Sequence, residues 1–274
     1  MELELRSVLD HGIDKSLDVL NLGFFDYLVP IQLDLPHFHE MLRTADIDVS
    51  LSQVVFRGSE AVGVALIARR GWSSRLAGMS IVPKARGQKV GQWLMEQLIE
   101  QAKDRGDHRM ELEVIQQNEA AVRLYQKVGF RTMRQLFGYR LESPPGKPTA
   151  LEKVDIRFLA NLVSNYGLPN LPWQLSGESL AVTGPPHQAY CSESAYVVIT
   201  DPQSDQIILR SILTLPEARE KGQAKNLLRG LFAQFPGKTW IVPAIFPAEM
   251  ASFLEGLGFE RQQLSQFQME LLLQ

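Results

Sequence analysis

Residues 77–98 read AGMSIVPKARGQKVGQWLMEQL, and the residue types there suit the binding of an anion. Residues 77–82 are short and mostly apolar, as a strand is. Residues 83–91 form a basic, glycine-bearing turn with Lys84, Arg86 and Lys89. From Val90 on, apolar residues return at Leu94, Leu98, Ile99 and Ala102, which is helical spacing. The first turn of a helix has N–H groups without internal partners, and the macrodipole makes that end positive. Gly87 and Gly91 remove side-chain bulk, so a phosphate can approach those N–H groups. The dinucleotide pattern G-x-G-x-x-G and the G-K-S/T nucleotide loop are both absent. A phosphate or pyrophosphate ligand held by strand, loop and helix is the expectation.

Groups able to move protons follow. Residues 109–115, RMELEVI, alternate as a strand does and carry Glu111 and Glu113 on one face. A partly buried carboxylate beside a like charge is suited to act as a base near neutral pH. Next, Asn118 begins a helical stretch that contains Tyr125 and stops at Gly129, with a good N-cap at one end and a good stop at the other.

These two stretches resemble the GNAT superfamily of N-acetyltransferases. Arg86-Gly87-Gln88-Lys89-Val90-Gly91 is similar to its acetyl-CoA signature R/Q-x-x-G-x-G/A at Arg86 and Gly91, and departs from it at Lys89, where the pattern has glycine. Residues 118–130 match the family's N-x-x-A-x-x-L-Y-x-x-x-G-F segment in full. The resemblance covers residues 49–141. It implies direct acetyl transfer from acetyl-CoA to a primary amine in a ternary complex, without a metal. By that likeness Met79, Ser80 and Ile81 offer backbone groups to the pantetheine arm and thioester. Arg86, Gly87, Gln88, Lys89, Val90 and Gly91 take the pyrophosphate, and Asn118 contacts CoA. Tyr125 is the general acid and Glu113 the base, with Glu111 its same-face alternative. Phe25 and Tyr27, between the first two helices, border the acceptor cleft. A non-catalytic acyl-CoA-binding regulatory protein is the rival reading.

The pattern returns in the second half. Residues 215–228, LPEARE followed by KGQAKNLL, superpose without a gap on residues 82–95, and Leu257-Gly258-Phe259 matches Val128-Gly129-Phe130. An internal repeat of domain length implies two copies of one fold. Arg219-x-x-Gly222-x-Ala224 fits the signature completely, but Pro247, Leu254 and Val242 stand where the first copy has Asn118, Tyr125 and Glu113. The second copy therefore reads as degenerate. Ser143-Pro144-Pro145-Gly146-Lys147-Pro148 reads as a stiff linker. The expected architecture is α/β (α+β layered): a catalytic domain at 1–142, a linker at 143–149 and a degenerate domain at 150–274. Each domain should hold a mixed central sheet flanked by helices.

The expected strands in the first half are 2–8, 49–56, 61–68 and 77–82, with helices at 13–22, closed by Gly23, and at 35–42. In the second half a helix is expected at 154–163 and strands at 180–183, 195–200 and 206–214. His37 and His39 are two apart and do not share a helix face, so no metal is expected. The net charge of −3 gives no case for a nucleic-acid partner. A single cysteine, Cys191, fits a reducing, cytoplasmic setting, and no apolar run has the ~20 residues of a membrane helix. The acceptor is a small-molecule or peptide amine. The chain is expected as a monomer with pseudo-dimeric halves or as a homodimer.

Overall fold

In the computed structural model, which describes residues 2–273, the chain divides into two units. One takes the chain up to Met133 and again from Phe267; the other is Arg134–Gln266. The division therefore falls ahead of the 143–149 segment expected as a linker. That segment is anchored inside the second unit: Ser143 N–H donates to the Lys238 carbonyl at 3.0 Å and Lys147 N–H to the Arg229 carbonyl at 2.9 Å. A side chain at Gly146 would strike the Ala233 backbone, so proline and glycine there mark a close crossing.

In the first unit the elements are β1 (Leu3–Ser7), α1 (Val8–His11), α2 (Ile13–Phe24), α3 (Leu35–Thr44), β2 (Gln53–Arg57), β3 (Glu60–Arg70), β4 (Ser73–Ile81), α4 (Val90–Asp104), β5 (Arg109–Ile115) and α5 (Glu119–Lys127). Strand β6 (Arg131–Glu142) then leads into the second unit. The sheet order is β1-β2-β3-β4-β5, followed by residues 267–272, the end of the last strand. Neighbours are antiparallel from β1 to β4, and β4 and β5 are parallel. Helix starts follow the local chemistry: Ser7, Asp34 and Asn118 each accept a hydrogen bond from a first-turn N–H. Helix α4 buries Val90, Leu94, Met95, Leu98 and Ala102, the face its spacing marks out.

The second unit continues with β7 (Glu152–Val154), α6 (Ile156–Tyr166), α7 (Gly177–Ala181), β8 (Gln188–Ser192), β9 (Ala195–Ile199), β10 (Gln206–Thr214), α8 (Gln223–Gln234), β11 (Thr239–Pro247), α9 (Ala251–Glu255) and β12 (Glu260–Leu272). From β6 the order is β6-β11-β10-β9-β8-β7, with the start of β12 on the other side of β6. Its core gathers Trp240, Phe232, Tyr139, Leu227, Leu228 and Phe259, with Phe232 edge-on to Trp240 at 5.0 Å.

Two expectations about elements are corrected. Residues 180–183 are not a strand: Ser176 accepts the Ser179 N–H and starts the short helix α7, which outweighs the β-branched pair Val182-Thr183. Gly23 does not end the first long helix, which runs on to Phe24. Its glycine is required by packing instead. A Cβ there would lie 2.2 Å from Ser80 Oγ and 2.4 Å from Ser80 Cβ, so α2 crosses β4 with no room for a side chain. Gly23→Ala is expected to lower the unfolding free energy by about 1–3 kcal/mol, and the double change Gly23→Ala, Ser80→Gly to recover part of it. Urea unfolding of the two variants measures both.

Candidate functional site

Strand β4 pairs with β5 from Ser73↔Arg109 to Leu76↔Leu112. On its other edge the register against β3 shifts: Leu66 faces Gly78 and Ile67 faces Leu76, which leaves Ala77 as the extra residue of a bulge. A bulge bends its strand. Past this point β4 runs on through Met79, Ser80 and Ile81 beyond its pairing with β5, so the peptide groups of this stretch are placed to meet a ligand from that side.

The loop that follows has an unusual backbone. Pro83–Ala85 makes one tight turn with Ala85 buried. Gly87 then has φ +73° and Lys89 φ +63°, both in the left-handed region. Helix α4 starts at Lys89 with no side-chain cap, so its first amides are not closed by the protein's own side chains. The left-handed residue explains the departure noted above: the family pattern has glycine where this chain strains a lysine. The second unit repeats the backbone with the residue types exchanged. Glu220 has φ +63° and Gly222 φ +74°, again before an uncapped helix, α8, and after a tight turn, Pro216–Ala218.

Arg86 has a different position from the one expected of it. Its Nε donates to the Ile81 carbonyl at 3.0 Å, one terminal nitrogen to the Gly23 carbonyl at 2.7 Å and the other to Asp26 at 2.8 Å. The guanidinium thus ties the end of β4 to the end of α2 and is occupied by those bonds. Gln88 is likewise engaged, accepting from Arg57 at 2.7 Å and donating to the Lys84 carbonyl at 2.7 Å, and Lys84 pairs with Glu60. Lys89 is the loop cation for which no partner is found among the described residues.

One cleft of about 510 Å³ takes in most of the expected residues: Met79, Ser80, Ile81, Arg86, Gly87, Lys89, Val90, Gly91, Asn118, Tyr125 and Tyr27. Gln88 and Phe25 are outside its lining, and Phe25 is 84% exposed. Phe24, on the last turn of α2, lines it in place of Phe25, together with Tyr27. The sequence shows aromatics at 24, 25 and 27, and where α2 ends separates inward from outward. At Gly91 a Cβ would sit 3.2 Å from Met79 Cε and 3.5 Å from Leu124, so a bare backbone keeps the helix start close to β4. Asn118 Oδ1 caps α5 by accepting from Ala121 N–H at 3.2 Å. Tyr125 is buried on α5, edge-on to Phe130. Burial, and to a lesser degree Tyr27, pushes its hydroxyl well above the usual tyrosine range, so it stays protonated and able to donate.

Glu113 does not fit the expected role of base. It is absent from the cleft lining, and its side chain is 3% exposed against Arg75 at 6%. Arg75 Nε and a terminal nitrogen both donate to its Oε2, the former at 2.9 Å. Glu111 is no substitute, being buried and paired with Arg109 at 2.9 Å. Strand alternation does place both on one face, but that face carries arginines reaching across from β4 and β5, which spacing alone does not reveal. Among the described residues, the one carboxylate lining the cleft is Asp26. Its hydrogen bond from Arg86 holds it below the usual carboxylate range, which makes it a weak base.

Residues 23–130 match the acetyltransferase (GNAT) family model. The matched segment takes in both stretches that carry the resemblance, 86–91 and 118–130. Among solved structures the chain is similar to a GCN5-related N-acetyltransferase from Sphaerobacter thermophilus, at 15% identity and TM-score 0.69, covering 99% of this chain and 96% of that one. It is similar to a tandem GNAT protein from the clavulanic acid biosynthesis pathway, at 16% and 0.69, covering 100% and 99%. It also resembles a GCN5-related N-acetyltransferase from Kribbella flavida, at 19% and 0.63, covering 99% and 72%. At these identities the likeness is one of fold, and the fold is the two-copy α/β arrangement expected from the repeat. No curated protein sequence matches the chain.

Two measurements follow. Lys89→Gly and Glu220→Gly should each raise the unfolding free energy by up to about 1 kcal/mol, since a side chain in the left-handed region is strained; denaturant titration reads this directly. Glu113→Gln should lower stability by about 3 kcal/mol by leaving Arg75 buried and uncompensated. A Glu113→Gln protein of unchanged stability but greatly reduced turnover would return Glu113 to the role of base.

Proposed function

We propose that the first unit is an acetyl-CoA-dependent N-acetyltransferase acting on a primary amine by direct transfer in a ternary complex. The observation that carries this reading is the single cleft in which the bent end of β4, the uncapped start of α4, and Tyr125 meet. The cleft suits the donor. The first-turn amides of α4 and the Lys89 ammonium offer a phosphate site. The peptide groups of Met79, Ser80 and Ile81 can run alongside a pantetheine arm and polarise the thioester carbonyl, and donors aimed at developing charge are the larger part of such catalysis.

In the step itself, the amine nitrogen attacks the thioester carbon, a C–N bond forms and the C–S bond breaks. The leaving sulfur takes a proton from Tyr125, which regains one from solvent. The attacking amine gives up its proton to water, because Asp26 is too weak a base and Glu113 is out of reach. The acceptor is a small-molecule or peptide amine, and a reducing, cytoplasmic setting suits the lone thiol of Cys191.

Tyr125→Phe tests the acid. General acid catalysis contributes about 10²–10⁴-fold, so turnover should fall at least about 100-fold while acetyl-CoA affinity is kept; unchanged turnover would remove Tyr125 from the mechanism. Without an enzyme carboxylate as base, kcat/KM should climb with pH until the acceptor amine itself is deprotonated. A lower break that stays fixed when the acceptor is exchanged for one of different pKa would reveal a base on the protein.

A further inference from the structure

Strand β10 reads QIILRSILT, and its burial alternates strictly along the strand. The charged residue in that apolar run, Arg210, sits in a register shift: Leu209 pairs with Ile199 and Ser211 with Val198, so Arg210 is the extra residue of a bulge. Counted back from Pro216 and Pro83, it stands where the first unit has Ala77, which is also the bulged residue of its strand. Bulges re-aim side chains and recur beside functional sites. Both units therefore keep the device, but only the second places a cation on it.

Arg210 lines a cavity of about 290 Å³ that belongs wholly to the second unit. Its walls are apolar, with Leu171, Leu175, Ile212, Leu213, Phe246 and Phe253 among them, and no aspartate or glutamate lines it. The Nε of Arg210 is buried without a hydrogen-bond partner, and among the described residues no ion pair or hydrogen bond to its side chain is found. Burial pulls its guanidinium below its ordinary value. The other cation at the cavity, Arg219, is occupied, donating to the carbonyls of Tyr166 at 2.6 Å and Thr214 at 3.3 Å. A half-buried guanidinium whose Nε is buried and unpartnered is unfavourable, and a ligand at the cavity would supply the missing partner.

We propose that this cavity binds a small monocarboxylic acid with an apolar body, its carboxylate held by Arg210. A guanidinium fork matches a carboxylate in two parallel hydrogen bonds, and the apolar walls suit an aliphatic or aromatic remainder. The cavity is smaller than the 510 Å³ cleft of the first unit, and its walls suit a short chain or a single ring. Glu220, Lys221 and Gly222, which correspond to the phosphate loop, do not line it. The site is independent of the acetyl-transfer reading of the first unit.

The test is isothermal titration of the full chain with hexanoate and phenylacetate, against hexanamide and phenylacetamide, in the wild type and in Arg210→Met and Arg210→Lys. One carboxylate should bind per chain, with the amides at least about tenfold weaker. Arg210→Met should lose at least about tenfold in carboxylate affinity and melt no lower than wild type, since it removes a buried, unpartnered Nε. Arg210→Lys should keep part of the affinity. Absence of carboxylate binding, equal binding of the amides, or undiminished binding by Arg210→Met would each overturn the proposal. If Arg210→Met does not fold, the carboxylate–amide difference in the wild type decides alone. Saturation with acetyl-CoA should leave the carboxylate titration unchanged; displacement would assign the cavity to the acyl donor and overturn it.

Discussion

A single arginine side chain fixes the geometry on which the cleft depends. Arg86 leaves the loop after β4, turns back, and bonds the last carbonyl of that strand and the Gly23 carbonyl near the end of α2. The same fork is built in the second unit by Arg219, which reaches the carbonyls of Thr214 and Tyr166. Each fork satisfies backbone acceptors that helix and strand ends otherwise leave open. It also holds the strand, the loop and the preceding helix in one arrangement, so the uncapped start of the next helix faces the bent strand. An arginine at the head of the signature thus serves a structural purpose in both copies, and in the proposed function the phosphate site is left to the backbone and to Lys89.

The two units share a frame but not the residues proposed for the chemistry. The bulge, the tight turn with its buried alanine, the pair of left-handed residues and the arginine fork all recur. The tyrosine proposed as the acid does not: Leu254 is buried where Tyr125 would be, and Pro247 stands in place of Asn118. Backbone strain is shared out differently too, with glycine first and lysine second in one loop and glutamate first and glycine second in the other. Charge has moved as well. The first unit pairs its buried arginine, Arg75, with Glu113, whereas in the second Arg210 is half-buried and lines an apolar cavity.

The fold was largely legible because its signals are local. Helical spacing after Val90, the alternation of 109–115, the Asn118 cap and the repeated Pro-x-Ala-Arg core each act within a few residues. Strand β5 and strand β10 have the bounds their patterns mark. What was not legible depends on partners far along the chain. The unit boundary is one case, since residues 267–273 belong with the first unit and Ser143 is bonded to Lys238. The burial of Glu113 is another, because Arg75, whose register partner on β5 is Glu111, reaches along the strand to pair with Glu113. The choice of Phe24 over Phe25 depends on where α2 ends. The bulge at Arg210 had a weak local signal, an arginine inside an apolar strand, but its meaning needed the register.

The central claim is that the first unit alone takes the acyl donor, at the start of α4. Calorimetric titration of acetyl-CoA into the wild type and into Gly91→Glu tests it most directly. A glutamate at that position would place negative charge beside Met79 at the helix start. The account predicts one site per chain, abolished by Gly91→Glu and intact in Gly222→Glu. No binding at all, or binding that survives Gly91→Glu and is lost with Gly222→Glu, would contradict it.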